Sequence, residues 1–126
     1  MTKKKIERID VMYRKEITWL KWYFLRDKKN PRKTILEQMI HESFLRKDVK
    51  LAAFLTNIRT VTDKFIQKSD RKLLETIKQV YVYENINVIG ACQRILYRGQ
   101  TLAYNLLNDW FEGYYLAMFD HLPLKL

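Results

Sequence analysis

The sequence predicts an all-α protein, and three observations predict it. Apolar residues recur at three- and four-residue steps, as one buried helical face requires, while the two-residue alternation of a half-buried strand is nearly absent. Glycine and proline, which punctuate turn-rich β proteins, number only three and two in 126 residues. Thr, Asp, Asn or Ser, the residue types that cap helices, stand just ahead of the periodic runs. Five to six helices are expected, with a helix-turn-helix at the C-terminal end and a helical extension before it.

Ile6, Ile9, Tyr13, Ile17, Leu20 and Phe24 give the buried face of a first helix over residues 6–28, which "DKKNPRKT" then breaks. Two starts for the second helix are open. Asn30 can cap with Pro31 in the first turn, where its missing N–H costs nothing, or Thr34 can cap with Glu37 at capping-box spacing. Either way the helix runs to about Arg46. Asp48 caps a third helix, with Leu51, Leu55, Ile58, Val61 or Thr62, and Phe65 inward and its end near Gln67. Ser69 or Asp70 caps a fourth that buries Leu73, Leu74, Ile77, Val80 and Tyr81. "YENIN" is a polar break in which Asn85 or Asn87 caps "VIGACQRIL". "GQTLAYNLLNDWFEGYYLAMF" is the last helix, with Gly113 as the place for a bend and Pro123 beyond its end.

Charge divides the chain. The net is +10, a balance that points to polyanions. Residues 1–33 hold twelve Lys/Arg against four Asp/Glu, residues 34–69 six against four, and residues 70–126 six against six. The expected organisation is a basic helical region over 1–68 and a helix-turn-helix region with an aromatic C-terminal helix over 69–126. No window approaches eighteen uncharged apolar residues, so no membrane span is expected, and the start lacks the apolar run of a signal peptide. The lone Cys92 has no partner for an internal bridge, which suits a reducing cytoplasm.

The stretch "ACQRILYRGQTLAY", residues 91–104, carries the functional expectation. A helix-turn-helix needs small residues where its two helices cross, and Ala91 and Cys92 supply them. Ile95 is then the last apolar residue of the first helix, Tyr97 sits in the turn, and Leu102 and Leu106 line the inner face of the second, extended by Trp110. The opposite face shows Gln100, Thr101, Tyr104, Asn105 and Asn108, with Asn105 nearest the buried side. Gln and Asn suit adenine edges, and Thr can touch a thymine methyl. Arg94 and Arg98 flank the turn for phosphate contact, and Gly99 lets a phosphate approach the backbone at the helix mouth. Lys3, Lys4, Lys5, Lys28, Lys29, Arg32 and Lys33 form an auxiliary phosphate-binding reserve.

This stretch resembles the pattern of a small pair, two residues, Leu-Gly-Val-Ser, two residues and Thr-Val that marks region 4 of sigma factors. With "SDRKLLETIKQVYVYENIN" before it, the chain resembles over residues 69–119 the C-terminal half of small phage late-gene transcriptional activators of the ArpU/RinA type. The resemblance implies a sequence-specific activator in the bacterial cytoplasm that binds double-stranded DNA and works with RNA polymerase. The chain departs from the pattern at Leu96, where the turn usually has glycine, and at Arg98, where the second helix usually has a Ser or Thr cap.

Two rival functions follow from other features. The basic N-terminal segments alone suit a non-specific nucleic-acid binder or DNA-packaging adaptor. The aromatic groups "WLKWYF" and "DWFEGYYLAMF" suit core packing, a homodimer face or docking on polymerase better than base stacking. No enzyme, cofactor or metal site is expected. His41 and His121 are far apart in sequence without nearby ligands, Cys92 reads as a small core residue, and Glu37 and Glu42 lie on different sides of a helix.

Overall fold

The computed structural model describes residues 9–97 and 99–121, and it is all-α. After a helical turn at 9–12, the elements are α1 (Arg14–Phe24), α2 (Ile35–Leu45), α3 (Val49–Lys68), α4 (Arg71–Ile77), α5 (Val88–Ala91) and α6 (Gln100–His121). Two of them widen rather than stop. α4 continues as a π-helical turn, π1 (Lys78–Val82), and α5 as a second, π2 (Cys92–Leu96).

Capping chemistry explains the boundaries. Thr34, not Asn30, starts α2: its side chain accepts the Glu37 N–H at 3.1 Å while the Glu37 carboxylate accepts the Thr34 N–H at 2.8 Å. Asp48 accepts from the Leu51 N–H at 3.2 Å, Asp70 from Leu73 at 3.0 Å and Asn87 from Gly90 at 2.8 Å. Ser69 serves otherwise, donating to the Phe65 carbonyl and accepting the Trp110 indole N–H at 2.9 Å. Asn85 donates to the Gln79 side chain instead of capping.

The expected first helix over 6–28 is shorter in the structure. It breaks at Tyr13 and ends at Phe24, with Leu25 extended; Ile6 lies outside the described residues. The cause is the loop after it. Asp27 folds its carboxylate back onto the N–H groups of Lys29 and Asn30, at 3.0 and 2.8 Å. Its own N–H donates to the Lys33 carbonyl, the Ile35 N–H to the Leu25 carbonyl, and Arg26 bridges Thr34. These bonds satisfy the loop's backbone groups in place of the one further helical turn expected to residue 28.

One hydrophobic cluster draws on five of the six α-helices. Leu20 of α1, Leu36 of α2, Leu55 and Ile58 of α3, Ile77 of α4, and Leu107, Phe111 and Tyr114 of α6 are buried together. Phe111 is its hub, stacked on Tyr13 at 5.4 Å and met edge-on by Tyr81 at 5.2 Å. α3 packs against α2 on one side and α6 on the other. α6 runs unbroken through Gly113, where a Cβ would lie 3.2 Å from the Phe65 ring, so glycine serves close helix packing there rather than a bend.

Candidate nucleic-acid interface

Helices 88–96 and 100–121 meet around a small core of their own. Cys92, Leu96 and Ala103 form a buried cluster apart from the main one, with Leu73 and Val88 packed on it. Ala91 and Ala103 are fully buried, and such small side chains beside Cys92 let the two helices approach closely. α4 lies against π2 as well, so residues 71–82, 88–96 and 100–121 pack as three neighbouring helical segments.

The register differs from the expected one by one residue. Leu96, not Ile95, is the buried residue that closes the first helix, and Ala103 and Leu107, not Leu102 and Leu106, form the inner face of the second. Leu102 is 47% exposed and Leu106 half-buried, whereas Trp110 is buried as expected. π2 accounts for the slip in the first helix. Its hydrogen bonds run one residue further than α-helical ones, the Tyr97 N–H reaching the Cys92 carbonyl, so one residue more than an α-helix holds fits before the turn. Tyr97 is correspondingly displaced: it leaves the core, adopts a left-handed backbone at φ 54° and is 72% exposed.

The outward residues of α6 fall into a clear pattern. Thr101, Asn105 and Asn108 are exposed and follow one another at i, i+4 and i+7, one stripe of the helix; Gln100 is exposed at its first turn. Tyr104 is the exception among the expected contact residues. It, rather than Asn105, borders the buried side: it packs on the main core, burial raises the pKa of its hydroxyl, and Gln100 hydrogen-bonds it. Gly99 is exposed, with no atom within 4 Å of where a Cβ would stand and no left-handed φ. Neither backbone nor packing requires glycine at that position.

Electrostatics divides α6 from its surroundings. From Gln100 to His121 it has no Lys or Arg, and Asp109 and Glu112 follow the polar stripe. Cations gather at the turn instead. The Lys72 ammonium sits 5.5 Å above the Tyr97 ring, Arg71 is exposed beside it in sequence, and Arg94 is exposed on π2. Lys72 escaped the sequence reading because it belongs to α4; its nearness to the turn is a tertiary fact. Of the auxiliary cations, Lys28, Lys29 and Arg32 are exposed and Lys33 is half-buried, all on the loop between α1 and α2. Arg98, Lys3, Lys4 and Lys5 lie outside the described residues, as does Pro123.

Comparison with family models, with curated proteins and with solved structures gives no match. Among the described residues no group of three or more His, Cys, Asp and Glu could hold a metal ion, and no helix is long and apolar enough to cross a membrane. Cys92 is buried at the helix crossing, and desolvation raises its thiol's pKa, which keeps it protonated and unreactive. Trp110, Phe111, Tyr114 and Met118 belong to the core, which leaves Tyr115, Leu116 and Phe119 as the exposed apolar residues of the last turns.

Proposed function

We propose that the chain is a sequence-specific regulator of transcription that reads double-stranded DNA with residues 88–96 and the first turns of α6. The observation that carries this reading is the separate small core of Cys92, Leu96 and Ala103. It fixes how two short-linked helices cross, with Leu73 and Val88 joining it to the main core, and it leaves Gln100, Thr101, Asn105 and Asn108 outward at the N-terminal end of the second. That is the end of a recognition helix that enters the major groove. Gly99, which the fold does not need, gives a phosphate free access to the helix mouth.

Because α6 carries no cation, affinity comes from Lys72 and Arg94 around the turn, from Arg98 just ahead of α6 in sequence, and from the basic N-terminal segments. RNA polymerase, or a second copy meeting through Tyr115, Leu116 and Phe119, supplies the remainder. The resemblance to phage late-gene activators supports an activating role in the cytoplasm of a bacterial host.

A selection from a random duplex library at about 50 and 200 mM salt tests the proposal, since phosphate contacts alone lose several decades of affinity over that range. The expected result is a motif that persists at the higher salt and is lost when Thr101 and Asn105 are both changed to Ala. Binding without a motif that disappears at the higher salt would overturn it, as would no binding at either salt.

A further inference from the structure

A second surface, made by the N-terminal half, combines positive charge with an exposed ring. The capping box at Thr34 holds the end of the basic loop against the start of α2, and the turn at Lys47 and Asp48 folds α3 back along α2. Together they place Arg32, Lys33, Ile40, His41, Phe44 and Arg59 around one open cleft of about 370 Å³. The cleft has a single acid, Glu37, and it is engaged: one carboxylate oxygen accepts the Thr34 N–H at 2.8 Å and the other faces the Arg59 guanidinium at 3.5 Å. Phe44 is 64% exposed, on the helix face that also supplies Ile40 to the cleft.

Cations that follow a phosphate backbone, together with a ring on which a base can stack, are the two parts of a single-strand binding surface. A duplex keeps its base faces stacked, so it has no use for Phe44. A single nucleotide would engage the cleft and leave the exposed Arg26, Lys28 and Lys29 on the same loop unused; a chain would run past them. We propose that this cleft binds single-stranded nucleic acid, with a phosphate among Arg32, Lys33 and Arg59 and an unpaired base on Phe44.

The site stands apart from the reading end of α6. Arg59 lies one turn before Thr62, whose hydroxyl meets that of Tyr114, and Tyr114 is fourteen residues, about 21 Å of helix, from Gln100. The cleft is therefore separate from the base-reading stripe, and because Arg32 and Lys33 also belong to the basic segments that add duplex affinity, the Phe44 change is the one that separates the two activities.

Fluorescence anisotropy of the full chain with a labelled oligo-dT of about twelve nucleotides, within the span of known single-strand sites, tests it. The matching duplex and free thymidine monophosphate serve as competitors. Phe44→Ala removes an exposed ring, so the fold should survive, which a thermal melt checks. The expected result is that Phe44→Ala weakens single-strand binding roughly tenfold, the loss of one stacked base, and leaves duplex binding unchanged. Replacing Arg32 and Lys33 together by Ala should weaken it further and flatten its salt dependence by about 0.7 in log–log slope, the single-strand value for one phosphate. Thr101→Ala with Asn105→Ala should leave it intact. The proposal is overturned if Phe44→Ala has no effect on a bound single strand, if no single strand binds, if the monophosphate competes as well as the chain, or if the Thr101 and Asn105 changes abolish binding.

Discussion

The hydroxyls of Thr62 and Tyr114 meet at 2.6 Å in the core, both residues being fully buried and fifty-two positions apart. The bond ties α3 to α6 in surroundings where neither oxygen has water to turn to. Burial pushes the Tyr114 hydroxyl's pKa well up, so it stays protonated. Removing one partner strands the other, at about 1–3 kcal/mol. Thr62→Val and Tyr114→Phe are each expected to lower unfolding free energy by that amount, and the double variant by less than their sum. Urea unfolding of the four proteins in a double-mutant cycle measures the difference.

Gly99 and Gly113 should respond oppositely to alanine. At Gly113 the new methyl would lie 3.2 Å from a Phe65 ring that is hemmed in by Trp110 and Tyr114 at 5.1 and 5.5 Å. Overpacking of about 1–3 kcal/mol there outweighs the helix-propensity gain of roughly 1 kcal/mol. Gly113→Ala is expected to lower the melting temperature. Gly99→Ala, pointing into open space, should leave it nearly unchanged while weakening duplex binding, a contrast that calorimetry and a binding isotherm read together.

Glu16 makes stability fall as pH rises. Its carboxyl is buried on α1, and desolvation raises its pKa above the ordinary 4.5, with Lys15 a weaker opposing influence. The folded chain thus holds this proton to higher pH than the unfolded chain does. Below 4.5 the group contributes nothing; above it the penalty grows until the folded carboxyl has ionised, then stays constant. Glu16→Gln is expected to melt higher than the parent at neutral pH, with the gap closing as pH approaches 4. Equal melting temperatures across that range would contradict the assignment.

Lys72→Ala should weaken duplex binding by a similar factor for every sequence and lower the log–log salt slope by about one, the signature of one lost phosphate contact. A change in the preferred sequence instead would mean that Lys72 reaches a base edge. Titrations at three salt concentrations decide between the two.

Much of the fold could be read from residue types because its boundaries are local. Asp48, Asp70 and Asn87 each bond an N–H three residues on, and such short-range chemistry needs nothing from the rest of the chain. The choice between Asn30 and Thr34 was open because both satisfy local rules; the reciprocal bond of Glu37, together with the Asp27 turn, decides it. The candidate interface was less legible. Leu102 and Leu106 fit the apolar period as well as Ala103 and Leu107 do, and only the tertiary crossing at Cys92 and Leu96 shows which set is covered. Neither Lys72 above Tyr97 nor Arg59 beside Phe44 could be found by spacing, since each joins segments that only folding brings together.

The wide turn at Cys92–Leu96 bears on how such a chain can diversify. A π turn holds one residue more than the α-helix around it, and one residue of helix is about 100° of rotation. Deleting a single residue there would restore a regular helix and deliver the chain into α6 from a different angle. Relatives that differ by such a deletion would keep nearly the same composition, yet turn one row of side chains outward and another toward the core. Alignments that treat the helix as regular would pair Leu102 with positions that Ala103 occupies in space. In this fold, a change in which side chains face outward can therefore come from length as readily as from substitution.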